Sequence, residues 1–226
     1  VSKKYRKILL KISGEIFAQE PVLNSIISQL IRLTHRSIRL AVVTGGGNII
    51  RGRDNRKLDP VNADRMGMLA TIINGIHLTD LLSPQIPVKH LSAFPVGSFV
   101  EPYSVNKARI SLQEGSLLIL TGGTGNPFFS TDSAAALRAA ELNMEVILKG
   151  TQVRGVFSAD PKKNPDATFY PRLTYEQALN QNLQVMDRTA LTLCEQHRIP
   201  IVVFDITRPG AILNIINGRK IGSVIC

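Results

Sequence analysis

Tryptophan is absent from the 226 residues, aromatic side chains make up only 5% of them, and cysteine appears twice. A reader of single-stranded nucleic acid stacks bases on aromatic platforms, so the scarcity of such rings argues against that class. Cys194 and Cys226 have neither a metal-ligand spacing nor the numbers for a disulfide framework, and both read as free thiols of a reducing compartment. Long apolar runs are missing too. Pure stretches such as residues 40–43 and 117–120 are strand-sized, far below the ~18 residues of a membrane helix. The basic start, Lys3-Lys4-Tyr5-Arg6-Lys7, leads into an apolar run that Lys11 interrupts, too short for the core of a secretory signal. The expectation is a soluble, cytoplasmic protein with no membrane partner. Negative charge is the scarce sign. Against 27 Lys and Arg stand 17 Asp and Glu, and the formal charge of +10 favours anionic partners, nucleotides among them.

What is present is a hydrophobic content of 44%, enough for one compact folded unit. Short β-rich runs alternate with longer segments of helical period, which predicts an α/β protein whose mainly parallel sheet is covered by helices. Strands are expected over residues 7–12, 39–43, 88–91, 117–121, 146–149 and 201–204, with an edge strand over 222–225. Helices are expected over 22–34, 63–82, 106–114, 131–142, 175–180 and 187–196, and Pro209 opens another that ends near 216. The second of these carries Met66, Leu69, Ile72, Ile73 and Ile76 on one face. Residues 152–160 read as a hairpin or loop. No repeat or linker divides the chain.

In open α/β sheets ligands collect outside the carboxyl ends of the strands. Three glycine-bearing turns stand at such ends: Ser13-Gly14, Gly45-Gly46-Gly47-Asn48 and Gly122-Gly123-Thr124-Gly125. Each can offer backbone N–H groups to an anion, because glycine admits a phosphate close to the main chain. Lys11, Arg51 and Lys149 stand beside them, and a phosphate site is the economical explanation. Any one of these features also has a plainer reading. A glycine turn reverses the chain, Lys11 is a solvated strand end, and Arg51 belongs to a surface cluster with Arg53, Arg56 and Lys57. Neither a Gly-x-x-x-x-Gly-Lys-[Ser/Thr] loop nor a Gly-x-Gly-x-x-Gly fingerprint occurs, which disfavours the two commonest nucleotide folds. The four histidines fall in none of these segments and are read as structural or surface residues.

Longer strings carry a resemblance. They include Lys11-Ile12-Ser13-Gly14-Glu15, Gly45-Gly46-Gly47-Asn48-Ile49-Ile50-Arg51-Gly52, Asp64-Arg65-Met66-Gly67 and the run Gly123-Thr124-Gly125-Asn126-Pro127-Phe128-Phe129-Ser130-Thr131-Asp132. Further on come Leu148-Lys149-Gly150-Thr151-Gln152-Val153-Arg154-Gly155-Val156-Phe157, Ala159-Asp160-Pro161, Val185-Met186-Asp187 and Pro209-Gly210-Ala211. In this order, through nearly the whole chain, they resemble bacterial UMP kinase, a branch of the amino-acid kinase superfamily. The resemblance implies a single amino-acid kinase domain over 1–226, a three-layer sandwich with UMP held by about 1–145 and ATP by about 146–226. It implies that Lys11, Ile12, Ser13 and Gly14 hold ATP phosphates and that Gly47 and Arg51 secure the transferring phosphates. Thr151, Phe157 and Asp160 would line the adenosine pocket. Gly46 would touch UMP, Asp64 would accept from its ribose, and Thr124, Gly125, Asn126, Pro127, Phe128, Phe129, Ser130 and Thr131 would wrap the uridine. A homohexamer is likewise implied.

The attacking oxygen of such a reaction belongs to a phosphate that is already anionic, so no general base is needed and catalysis reduces to alignment and charge neutralisation. Lys11 and Lys149 are the candidates for that neutralisation. Asp132 and Asp187 are candidates to orient a lysine or a water bound to Mg2+, the ion expected with ATP; each also reads as an ordinary carboxylate at a helix start. No protein ligand to the metal is assigned. Phe128 and Phe129 read as pocket walls or as core. Residues 15–21 are shorter than the family's segment and lack its glycine-containing loop, which leaves GTP activation unsupported, and Arg154 stands where an aspartate is common. Two rivals stay open, another small-molecule kinase of the superfamily and a regulator that senses nucleotides or binds nucleic acid.

Overall fold

The computed structural model describes residues 5–50, 58–161, 163–183 and 185–226. β1 (Lys7–Ile12) is followed by a short 3-10 turn, α1 (Glu20–Thr34) and β2 (Arg39–Thr44). Next come α2 (Pro60–Leu82), β3 (Val88–Ser92), β4 (Glu101–Pro102), α3 (Val105–Gln113) and β5 (Leu117–Thr121). The second half holds α4 (Thr131–Glu141), β6 (Val146–Thr151), β7 (Val156–Phe157), β8 (Phe169–Tyr170) and β9 (Arg172–Leu173). It ends with α5 (Tyr175–Asn180), α6 (Arg188–Gln196), β10 (Ile201–Asp205), α7 (Ala211–Ile216) and β11 (Ser223–Ile225).

Among the described residues nine strands form one sheet in the order β4-β3-β5-β2-β1-β6-β10-β11-β9, with β10–β11 its only antiparallel pair. Alternate residues of β1 enter opposite cores, as the two-residue period of a strand requires. Ile8, Leu10 and Ile12 pack with residues of α1, α2 and α7, while Leu9 packs with α3, α4 and α6. Helices on both faces make the central strands apolar throughout rather than alternating, and the result is a three-layer α/β sandwich.

Local chemistry explains where the helices start. Pro21 lies in the first turn of α1, and Asp59 caps α2 by accepting the Asn62 N–H at 3.1 Å, with Pro60 in the opening turn. The inward face of α2 is built of small and polar residues, among them Ala70, Thr71, Asn74 and Gly75. Ile72 is buried, but Met66, Leu69, Ile73 and Ile76 are 43%, 49%, 55% and 46% exposed. The apolar face expected of this helix therefore splits: Ile72, Leu78 and Leu82 are buried, and the small residues Ala70, Thr71 and Gly75 stand where the chain packs most closely. A Cβ on Gly75 would stand 2.6 Å from His90 Nε2.

Two details differ from expectation. β11 is not an edge strand, since β9 pairs outside it. Residues of the 152–160 segment do form a strand, but its partner β8 lies beyond the turn-rich 161–165 segment, where the local pattern gives no pairing signal.

His90 lies in β3 with Nε2 2.9 Å from Thr121 Oγ1, and burial pushes its imidazole down from 6.5 to about 4. The unfolded chain thus takes up this proton at a higher pH than the folded one. His90 costs no stability above pH 6.5, and stability falls as the pH drops toward 4, by on the order of 3 kcal/mol. Calorimetric melts over this range should show that loss in the parent chain and a smaller one in His90→Gln.

Candidate active site

β1 and β6 are parallel neighbours whose register sets Lys11 opposite Lys149. The strand period sends both side chains to the face of Leu9 and Ile147, where α4 begins. Two ammonium groups on strands about 4.8 Å apart need a counter-charge. Asp132, the second residue of α4, supplies it: Lys11 Nζ lies 2.9 Å from Oδ1 and Lys149 Nζ 2.5 Å from Oδ2. Burial by itself pushes the Asp132 carboxyl up, but the two ammonium groups more than reverse this and hold it at about 2. Burial also holds Lys149 below its ordinary value, Asp132 opposing that shift and Lys11 adding to it. The Lys11 contact is not aligned as a hydrogen bond, so Oδ1 has no aligned donor among the described residues.

The start of α4 is fixed from two sides. Ser130 caps it, accepting the Asp132 and Ser133 N–H groups at 3.0 and 3.2 Å. Its hydroxyl in turn donates to Asp187, as does that of Ser133 at 2.8 Å. Asp187 also caps α6 by accepting the Ala190 N–H at 2.8 Å. Asp187 therefore touches neither lysine; it clamps two helix N-termini together and acts on Lys149 only through its charge.

The glycine turns converge on the same edge. A Cβ on Gly14 would stand 2.5 Å from the Gly47 nitrogen, so the turns after β1 and β2 interlock main chain to main chain. A Cβ on Gly46 would stand 2.8 Å from the Gly67 carbonyl oxygen, which presses the second turn onto α2. From α2, the buried Asn74 donates to the Gly45 carbonyl at 2.7 Å and to Asn48 Oδ1 at 2.8 Å. Thr71 Oγ1 accepts the Gly122 N–H at 2.8 Å and so ties down the third turn.

Two cavities open here. One, of about 460 Å³, is lined by Gly46, Gly47, Asp64, Gly123, Phe128, Phe129, Ser130 and Thr131 among others. Asp64 accepts the Phe128 N–H at 2.7 Å, and Phe128 adopts a left-handed φ of 68°. Such a conformation costs a phenylalanine about 1–3 kcal/mol and marks a loop held for a purpose other than packing. Phe128 and Phe129 are 74% and 48% exposed, so they are wall and not core. Thr124, Gly125, Asn126 and Pro127 lie off this cavity; Thr124 Oγ1 instead accepts the Asn126 N–H at 3.2 Å. The other cavity, of about 520 Å³, is lined by Lys149, Thr151, Phe157 and Asp160, with Gly155 and Lys163. Lys149 belongs to this second wall and Thr131 to the first, so the Asp132–Lys149 pair sits where they meet.

Ile12 is buried in the core with its side chain, which leaves only its main chain for a ligand. Ser13 makes no side-chain cap to the turn it precedes. Arg51 lies outside the described residues.

The profile of the amino acid kinase family matches residues 6–205. The chain belongs to that family. Among its relatives, uridylate kinase of Legionella pneumophila (strain Lens) is 43% identical, covering 98% of this chain and 94% of the relative. The solved UMP kinase from Bacillus anthracis superposes with a TM-score of 0.92 at 34% identity, covering 98% of this chain and 96% of that one. The UMP kinase from Ureaplasma parvum gives 0.90 at 37% identity, covering 98% and 99%.

Within this family member, sequence reasoning passed over Asn74 and Ser133. Both sit inside helices, where a lone polar residue resembles surface, and only tertiary packing shows that one braces a glycine turn and the other an acidic cap. Asp132→Asn should cost about 3–5 kcal/mol in chemical denaturation, because two ammonium groups lose their buried counter-charge. Asp187→Asn, which keeps one acceptor oxygen and removes no lysine's paired counter-charge, should cost much less.

Proposed function

We propose that this chain is a UMP kinase, moving the γ-phosphoryl group of ATP reversibly onto UMP to give UDP and ADP, within pyrimidine nucleotide biosynthesis. The observation that carries the reading is the pair of cavities meeting at the Lys11–Asp132–Lys149 cluster. Two nucleotides set end to end there place their phosphates between the lysines and the interlocked glycine turns. Full-length relatives named uridylate kinase and UMP kinase support UMP as the acceptor.

In this reading the 460 Å³ cavity takes UMP and the 520 Å³ cavity takes the adenosine of ATP. Each cavity draws its walls from one portion of a single domain, about 1–145 and about 146–226. Gly46 and Asp64 address UMP, and Phe128, Phe129, Ser130 and Thr131 close over it, with Thr124 to Pro127 shaping the loop that carries them. Thr151, Phe157 and Asp160 hold the donor, and the main chain of Ile12, Ser13, Gly14 and Gly47 meets its phosphates together with Arg51. The UMP phosphate attacks as an anion, so no side chain has to remove a proton. Lys11 and Lys149 neutralise charge on the transferring group, Asp132 keeps both aimed, and Asp187 positions α4.

Magnesium, when bound with ATP, would supply positive charge to its phosphates. The described residues bring together no group of three His, Cys, Asp or Glu side chains, so we assign the ion to the phosphates and water. We place the enzyme in the cytoplasm: Cys194 and Cys226 are free thiols, and among the described residues no helix is long and apolar enough to cross a membrane.

An ADP-release assay over UMP, CMP, dTMP and glutamate is expected to give turnover with UMP alone; preference for glutamate would replace the assignment with another kinase of the family. Lys11→Ala is expected to lower kcat by about 10²–10³-fold while leaving UMP binding unchanged, read by single-turnover kinetics and calorimetry.

We also propose a homohexamer. The exposed stripe of Met66, Leu69, Ile73 and Ile76 on α2 is apolar surface of the kind a second copy covers. Ile73→Glu with Ile76→Glu should shift sedimentation to a smaller species; unchanged sedimentation would remove α2 from the assembly.

A further inference from the structure

A third cavity, of about 610 Å³, lies beside β9, β11 and α7. Five cations line it, Arg154, Arg172, Arg208, Arg219 and Lys220, against one carboxylate, Asp205. Asp205 is already paired with Arg208, Nε to Oδ2 at 3.3 Å. Among the described residues the other four cations have no carboxylate partner. Arg154 lies over the Phe169 ring, 4.3 Å from its centroid, and Arg172 donates to Cys226 Sγ at 3.0 Å. Phe169, Ile215 and Ile221 give the cavity an apolar floor.

A row of exposed arginines on a convex surface is an ordinary solvated face. Here the cations ring a concavity larger than either cavity of the active site, and they outnumber the charges of the donor cavity, where Lys149 and Lys163 face Asp160. Like charges gathered around one hollow repel one another, and an anion placed among them relieves that repulsion while collecting several charge-assisted hydrogen bonds. We propose that this cavity is a second anion-binding site, outside the active site, for a small polyphosphate, free or carried by a nucleoside. The cations gathered around one hollow and the apolar floor favour a compact ligand. A nucleic-acid strand asks instead for an extended groove with stacking aromatics, and Phe169 is the one aromatic side chain in this wall.

The chain has no tryptophan, so Phe169→Trp puts its only indole in this cavity. Phe169 also stacks on Phe157 of the donor cavity, with ring centroids 5.3 Å apart, so a control must separate the two sites. That control is Phe169→Trp combined with Arg172→Ala, Arg219→Ala and Lys220→Ala, its fold checked by thermal melting. Titration with inorganic tripolyphosphate should change the emission of the reporter saturably, with affinity at least about tenfold weaker in the control. If ATP shows a further change that the control lacks, and binds there more tightly than tripolyphosphate, the ligand carries a nucleoside; equal affinity marks a free polyphosphate. A change of equal affinity in both chains would report the active site and overturn the proposal, as would no change at all. Displacement of tripolyphosphate by a short single-stranded oligonucleotide at lower phosphate concentration would overturn it in favour of a nucleic-acid surface. Should the indole disturb folding, calorimetry of tripolyphosphate binding to the parent chain and to the triple alanine variant gives the same answer, with one fewer bound ligand per chain expected in the variant. None of these readouts depends on turnover, so failure here and failure of the UMP kinase reading are distinct results.

Discussion

Two lysines placed opposite each other on adjacent parallel strands are a problem that the rest of the active edge is arranged to solve. The β1–β6 register puts Lys11 beside Lys149, and the strand period points both into the layer under α4. Without Asp132 both would be buried among like charge, which no fold sustains cheaply. With it, the pair is held in place before any ligand arrives. In the proposed reaction an incoming phosphate would meet cations already desolvated and aimed, with the reorganisation that weakens such an effect met during folding. The same carboxylate that makes the site foldable keeps it ready.

This arrangement transmits a demand for accuracy outward. Asp132 is useful only if α4 starts at one place, and Ser130 and Ser133 secure that place through Asp187, which also starts α6. Across the cleft the glycine turns are held by contacts that tolerate little displacement: Gly14 against Gly47, Gly46 against α2, and the Asn74 carboxamide under Gly45. Where α2 meets the glycine turns it carries Gly67, Ala70, Thr71 and Asn74, since large apolar residues at those positions would push the turns apart. Met66, Leu69, Ile73 and Ile76 lie on the outside instead, exposed to solvent.

The fold and the edge carrying the site were legible because they rest on local patterns: the strand and helix periods, and glycines at strand ends. Lys11 and Lys149 could be named from their position at those ends. Asp132 could be named as a carboxylate to orient a lysine, but not as the bridge between both, because that depends on a register between strands far apart in sequence. Asn74 and Ser133 escaped for the same reason, and so did the β7–β8 hairpin, whose halves are separated by a turn-rich segment. Where burial and local pattern disagree, as on α2, tertiary packing decides which face is inside.

The segment from Thr151 to Phe157 shows how one short stretch can serve two surfaces. Val153 and Gly155 line the donor cavity, while Arg154 between them lines the basic one. An aspartate at this position would cancel part of the positive charge around the outer hollow; arginine adds to it, at a point where the main chain is already committed to the inner one. Phe157 and Phe169 continue the same division, each ring belonging to one cavity and stacked on the other. A ligand that drew Arg154 off the Phe169 ring would free that ring to shift, and Phe157 packs against it. The two hollows thus share a wall of two packed aromatic rings, and Arg154 rests on the outer one.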